Sequence, residues 1–305
     1  MGEHSKIEWT DASWSPIRAM AATHEGPRFG WHCEHVSEGC RNCYAERMNI
    51  RLGTGFEFKP GRLHGNTFGD TRRDVSLFLD EKMLLAPTRW RRSRMIFVCS
   101  MTDLFADFVT DEWIDPMFAV MALCPQHTFQ VLTKRSARMR SYFAELKASG
   151  RWLLWTHPQF GHQIFDPIAA KFEVMFAHIW LGVSAENQET ADARIPDLLA
   201  TPSAVRFVSA EPLLGPIDLF KIRETTGFTF NALSKKAGIG FRSCGLDWVI
   251  CGGESGPGAR PMQEAWAESL RDQCKAAGVA FFMKQMAKKA PIPEYLMIRE
   301  MPNAR

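Results

Sequence analysis

The sequence predicts an α/β fold, a partial (β/α) barrel in a single domain spanning residues 1–305, and three observations carry this. Six short apolar runs recur along the chain, each ending in polar or charged residues. Amphipathic helical patterns lie between several of them. With 305 residues, 46% of them hydrophobic, the chain can bury one large core. Runs covered on both faces are the mark of parallel strands, and alternation with helices leads to a barrel or to an open doubly wound sheet. The barrel is the expectation.

Taken in order, the first expected element is a helix running from Cys43 through "YAERMNIRL". A second helix is expected across "DVSLFLDEKMLLA", Asp74 to Ala86. The strands follow as "MIFVCSMTD" from Met95, "FQVLTKR" from Phe129, "IWLGVSAEN" from Ile179, "VRFVSAEP" from Val205, "WVICGGES" from Trp248 and "VAFFMKQ" from Val279. Thr110, with Asp111 and Glu112 behind it, reads as the N-cap of a helix bearing Trp113, Met117, Val120 and Met121. Ser136 is a candidate cap for a helix that Gly150 stops, and Trp266, Leu270 and Cys274 mark another that ends at Gly278. Residues 151–178 and 219–245 break the rhythm and are long enough to be insertions or lids.

Composition excludes some classes. No apolar run reaches membrane-spanning length, and the polar start "MGEHSKIEWTD" does not read as a signal peptide. Eight cysteines are too few for a disulfide scaffold of this size, so a reducing, cytoplasmic setting is expected, with no membrane partner. The net charge of +3 gives no strong push towards nucleic acid. The basic stretches "RWRRSR" (Arg89 to Arg94) and "KRSARMR" (Lys134 to Arg140) are candidates for phosphate binding, though such runs are commonly solvated faces.

The sharpest motif is "WHCEHVSEGCRNCYAERM", Trp31 to Met48, in which Cys33, Cys40 and Cys43 are spaced C-x6-C-x2-C. Three thiols are one short of a closed zinc site, whose fourth ligand would be His32, His35 or a distant cysteine such as Cys244. Three thiols also suit an iron-sulfur cube with one iron left open to a small molecule. A second candidate set lies where the apolar runs end: Ser100, Thr102 and Asp103; Thr133, Lys134 and Arg135; Ser184, Glu186 and Asn187; Ser209 and Glu211; Gly252, Gly253 and Glu254; Lys284 and Gln285. In a barrel these form one ring at the ligand-binding face. Cys99, Cys124, Cys251 and Cys274 lie in apolar segments and read as packing residues.

Seven segments in order, "IEWTDASWSP", "GCRNCYAERM", "VCSMTDLF", "FQVLTKR", "WLGVSAEN", "FVSAEPLLGPID" and "ICGGESGPGARPM", closely resemble the phage Gp37/Gp68 family, the three-Cys-motif proteins of radical S-adenosylmethionine type. The resemblance implies a partial TIM-like barrel, a 4Fe-4S cluster on Cys33, Cys40 and Cys43, and S-adenosylmethionine on the open iron. It implies an electron donor as partner and a substrate that it does not specify; a nucleotide or nucleic acid is the attractive class. The spacing departs from the commonest C-x3-C-x2-C loop of that larger superfamily, and Asn42 stands where an aromatic usually precedes the last cysteine, so Tyr44 or another aromatic is the candidate to contact adenine. For the cofactor the candidates are Tyr44, Ser100, Thr102, Asp103, Lys134, Ser184, Glu186, Glu211, Gly252, Gly253, Glu254 and Lys284. The lysines suit an anion, and the glutamates an ammonium or ribose hydroxyls. Two rival readings are a barrel hydrolase with a structural zinc loop, using a pair from Glu186, Glu211 and Glu254, and a non-catalytic zinc-containing nucleic-acid-binding protein.

Overall fold

The computed structural model describes residues 5, 7–60, 75–154, 176–235 and 245–302. The chain divides into two compact units, Met1–Thr128 with Trp152–Pro167, and Phe129–Arg151 with Ile168–Arg305. Hydrogen bonding places seven strands in one sheet whose order follows the chain without a reversal, as set out below.

In the first unit the elements are β1 (Ala12–Trp14), β2 (Ile17–Thr23), β3 (Gly26–Gly30), α1 (Tyr44–Leu52), β4 (Val75–Leu79), α2 (Glu81–Leu84), β5 (Met95–Val98) and α3 (Asp111–Ala122). Strand β1 pairs in parallel with β5, from Ala12 opposite Ile96 to Trp14 opposite Val98. Strand β2 pairs antiparallel with both β3 and β4 in a separate small sheet. The helix expected across Asp74 to Ala86 is instead strand β4 followed by the single turn α2. The cause is local: "VSLFL" has the apolar composition of a strand, and Asp80 ends it by accepting a hydrogen bond from Met83 N, which caps the new turn.

In the second unit, β6 (Thr128–Thr133) begins at the boundary and is followed by α4 (Ser136–Ser149), β7 (Ile179–Ser184), α5 (Gln188–Ala200), β8 (Val205–Ala210), β9 (Ile222–Arg223), β10 (Thr229–Phe230), β11 (Trp248–Gly252), α6 (Glu264–Ala277) and β12 (Ala280–Gln285). Strands β6 to β8, β11 and β12 pair in parallel, neighbour to neighbour. The full sheet order is β1-β5-β6-β7-β8-β11-β12. A doubly wound sheet reverses its order at a switch point. This order does not reverse, and the mixed α/β topology is compatible with a partial barrel.

All six expected runs are strands of this sheet. Gly150 and Gly278 end α4 and α6 in the left-handed conformation, as glycine there should. The cap of α4 is Arg135 rather than Ser136, whose hydroxyl donates to Asp197 at 2.8 Å. Thr110 is the N-cap of α3 but makes no side-chain cap hydrogen bond. Helix α5 carries the stronger signal, a capping box between Asn187 and Thr190. Of the two expected insertions, residues 155–175 and 236–244 lie outside the described residues, and 219–235 contain the short hairpin β9–β10.

The core of the second unit is built on Trp248, which is fully buried and packs against Trp180, Phe207 and Phe282 with ring centroids 5.8–6.0 Å apart. Gly182 on the neighbouring strand leaves room for the Phe207 ring, which a Cβ there would strike. Among the described residues no helix is long and apolar enough to cross a membrane.

Candidate cysteine site and charged strand ends

Strand β3 delivers the chain to Trp31, His32 and Cys33, a short 3-10 turn holds Glu38 to Cys40, and Cys43 is the N-cap of α1. The turn is closed by Cys40 N to Ser37 O at 2.9 Å and Cys43 N to Cys40 O at 3.2 Å. None of the three cysteines is in a disulfide among the described residues, and all are partly exposed. Burial pushes the Cys43 thiol above its ordinary value, against hydrogen bonds from the backbone N–H groups of Glu46 and Ala45 that favour the thiolate. Those N–H groups belong to the first turn of α1, where no carbonyl of the helix is available to them. Cys33 and Cys43 both pack on a small apolar cluster of Ala45, Phe58 and Met101, beside Trp31.

Three soft sulfurs on one loop, one of them at a helix N-terminus, are a donor set that fits an iron-sulfur cluster or zinc. As the side chains stand, no group of three or more His, Cys, Asp or Glu among the described residues is gathered to hold a metal ion. His32 is buried against Phe58 and Phe108, and His35 lies 3.2 Å from the Glu46 carboxylate. Cys244 lies outside the described residues.

A residue that the sequence reading did not single out organises this loop. Asn49, 1% exposed, faces inward from the middle of α1. Its Oδ1 accepts from Trp31 N at 2.9 Å and Thr54 N at 3.2 Å, and its Nδ2 donates to Thr54 Oγ1 at 2.7 Å and Phe56 O at 2.9 Å. The amide is thereby satisfied in both directions. It ties the entry to the cysteine loop to the turn after α1. Gly30 and Gly53 flank it because a Cβ at either position would collide with Oδ1. The available signal was a lone asparagine inside an amphipathic helix, with glycine at the following C-cap.

The end of β5 is fastened to the same loop. Thr102 Oγ1 donates to His32 O at 2.5 Å, Tyr44 Oη donates to Ser100 O at 2.7 Å, and Met101 joins the apolar cluster under Cys33 and Cys43. Cys99 opens this turn in the left-handed region, at φ 53°, with its N–H on Trp14 O. Its thiol is fully buried and held well above the ordinary value, first by burial and then by Asp103 and Cys33. Asp103 Oδ1 accepts from Phe105 N at 3.0 Å. Tyr44, Ser100, Thr102 and Asp103 thus gather beside the cysteine loop, in the first unit.

The remaining candidates lie in the second unit, in three ion-paired groups. Glu186, 1% exposed, is held on Oε1 by Lys134 and on Oε2 by Arg194 at 3.0 Å; Arg194 also donates to Ser184 O at 2.8 Å. Glu211 pairs with Lys284 at 2.9 Å. That pair bridges from β8 to β12 across β11, and Gly252 lies beneath it: a Cβ there would meet Glu211 Oε1 at 2.6 Å. Glu254 accepts from Arg260 N at 2.8 Å and from its guanidinium. Gly253 makes room for the backbone of Ala287 and bonds to Gln285 through both N–H and C=O. Both glycines therefore serve close approach within the protein itself. Of the basic stretches, Arg140 pairs with Asp197 at 3.2 Å, while Arg89, Arg91 and Arg92 are exposed at the start of β5, the end away from Cys99. The buried thiols Cys124 and Cys274 are pushed up to about 11 and about 12, and Cys251 higher still, chiefly by burial.

The chain belongs to the family described as "Protein of unknown function (DUF5131)", whose model matches residues 4–298. No curated protein and no solved structure matches it.

Proposed function

We propose that this chain is a radical S-adenosylmethionine enzyme whose Cys33, Cys40 and Cys43 hold a 4Fe-4S cluster, leaving one iron for S-adenosylmethionine. The observation that carries the reading is the loop itself: three partly exposed thiols on one short loop, the last at the N-cap of a helix. When bound, the cluster and S-adenosylmethionine supply one-electron cleavage of a carbon-sulfur bond and hydrogen abstraction from a substrate.

The protein's share is to bind, orient and exclude water. Asn49 and Thr102 hold the entry to the loop at Trp31 and His32, and Ala45, Phe58 and Met101 give Cys33 and Cys43 an apolar floor. An apolar surround keeps solvent and stray hydrogen donors from reactive species. Tyr44 offers an exposed ring for stacking on adenine, with its hydroxyl fixed on Ser100 O. In the second unit Lys134 and Arg194 converge on the Glu186 carboxylate, and a lysine there suits an anionic group of a ligand. Glu211 and Glu254 are each engaged by a lysine or arginine, so the barrel-hydrolase reading draws no support from them. A one-electron reductant, protein or chemical, and a reducing, cytoplasmic setting belong to the same reading.

The test is turnover. Anaerobically loaded, reduced protein should convert S-adenosylmethionine to methionine and 5′-deoxyadenosine, and Cys43→Ala should not. A fully loaded protein that cleaves nothing, and whose spectrum does not respond to S-adenosylmethionine, would remove the radical mechanism.

A further inference from the structure

Trp31 packs against Ala45, Phe58 and Met101 together with Cys33 and Cys43. Its backbone N–H is taken by Asn49 Oδ1 at 2.9 Å, and the Arg18 guanidinium lies 4.8 Å over its ring while donating to Gly30 O at 3.0 Å. The indole is therefore held at both backbone and ring. Its Nε1 is nevertheless buried, with no hydrogen-bond partner among the described residues. Two other indoles of the chain behave differently: Trp14 Nε1 donates to Met83 O at 2.8 Å and Trp248 Nε1 to Glu300 O at 2.9 Å.

An indole N–H can only donate, and when buried it normally finds an acceptor. An orphan donor in a tightly held side chain calls for an explanation. The groups that share its apolar cluster and can carry negative charge are the sulfurs of Cys33 and Cys43. We propose that the Trp31 N–H donates to a sulfur of the group held by Cys33, Cys40 and Cys43, and thereby raises that group's reduction potential. The inference rests on the cluster reading above. Its physical basis is that a donor aimed at sulfur stabilises the reduced state, which carries one more negative charge, and such donors are a principal means by which proteins set cluster potentials. Trp31 is thus a positioning and tuning residue that acts through the sulfurs.

The experiment is a redox titration of the full-length, anaerobically reconstituted protein, followed by electron paramagnetic resonance. It compares wild type with Trp31→Phe and with a variant carrying benzothienylalanine at position 31, which keeps the ring's shape and replaces N–H by sulfur. The expected result is unchanged iron and sulfide content with a more negative midpoint potential, about tenfold in the reduction equilibrium or about 59 mV for one electron. Should Trp31→Phe lose the cluster through poor packing, the isosteric variant decides. An unchanged potential in a loaded, N–H-free variant overturns the proposal. Failure of wild type to take up any cluster is a different result: it leaves no potential to measure, and overturns the cluster reading together with this inference.

Discussion

Replacing Asn49 by alanine should loosen the cysteine loop before it touches any cysteine. The side chain makes four hydrogen bonds, to Trp31 N, Thr54 N, Thr54 Oγ1 and Phe56 O, from a position 1% exposed. At about 1 kcal/mol net for each bond, the loss is about 4 kcal/mol, less about 0.5 kcal/mol returned by alanine's better helix propensity. Asn49→Asp keeps the two acceptor contacts and loses the two donor contacts, so it should fall about midway. Amide hydrogen exchange reads this locally: the Trp31 and Thr54 amides should exchange faster by two to three orders of magnitude, since each 1.4 kcal/mol is about tenfold. Amides in β7 and β8, in the other compact unit, should not change. Protection of Trp31 and Thr54 that stays within threefold of wild type would refute the reasoning, and would mean that the loop is held by its apolar contacts alone.

Three further outcomes follow from the same contacts. Glu186→Gln removes the buried carboxylate on which Lys134 and Arg194 converge and should destabilise the second unit by about 3 kcal/mol in denaturant unfolding; Lys134→Met should be milder. Gly252→Ala places a methyl 2.6 Å from Glu211 Oε1, so Glu211→Gln, which weakens the pair with Lys284, should lose less in that background than alone, a non-additivity that a double-mutant cycle detects. The buried thiols should resist alkylation at pH 8 while Cys33 and Cys40 react. In Cys274, whose thiol is pushed from 9.0 up to about 12, the unfolded chain loses its proton first, so stability present below pH 9 is lost as pH rises towards about 12. Cys274→Ala should flatten that alkaline slope in urea midpoints measured from pH 8 to 11.

The parallel strands were legible because their two faces are both covered, so "MIFV", "IWLGV" and "WVICG" read as unbroken apolar runs whatever surrounds them. Glycines 150 and 278 gave the helix ends for an equally local reason, the freedom of a residue without Cβ. Strand β1 escaped notice because three residues, Ala12–Trp14, are too short for any period to appear. Strand β4 was misread because its apolar residues run straight into those of the next turn, and only the Asp80 cap separates them. In the site, the cysteines and the Tyr44, Ser100, Thr102 and Asp103 set were visible as a motif and a strand end. The partners of the glutamates were not. Arg194 reaches Glu186 from the interior of α5, and Lys284 reaches Glu211 across an intervening strand, and neither distance is written in the chain. Asn49 and Trp31 were hidden likewise, since an inward-facing amide and an unsatisfied indole are recognised only by what they touch.

The most direct test of the central reading is the metal content of the protein after anaerobic reconstitution. About four iron and four sulfide per chain, lost in Cys33→Ala, Cys40→Ala and Cys43→Ala and retained in Cys124→Ala and Cys274→Ala, is the predicted result for a single cubane cluster. Stoichiometric zinc with no iron, or iron retained in all three loop variants, would contradict it.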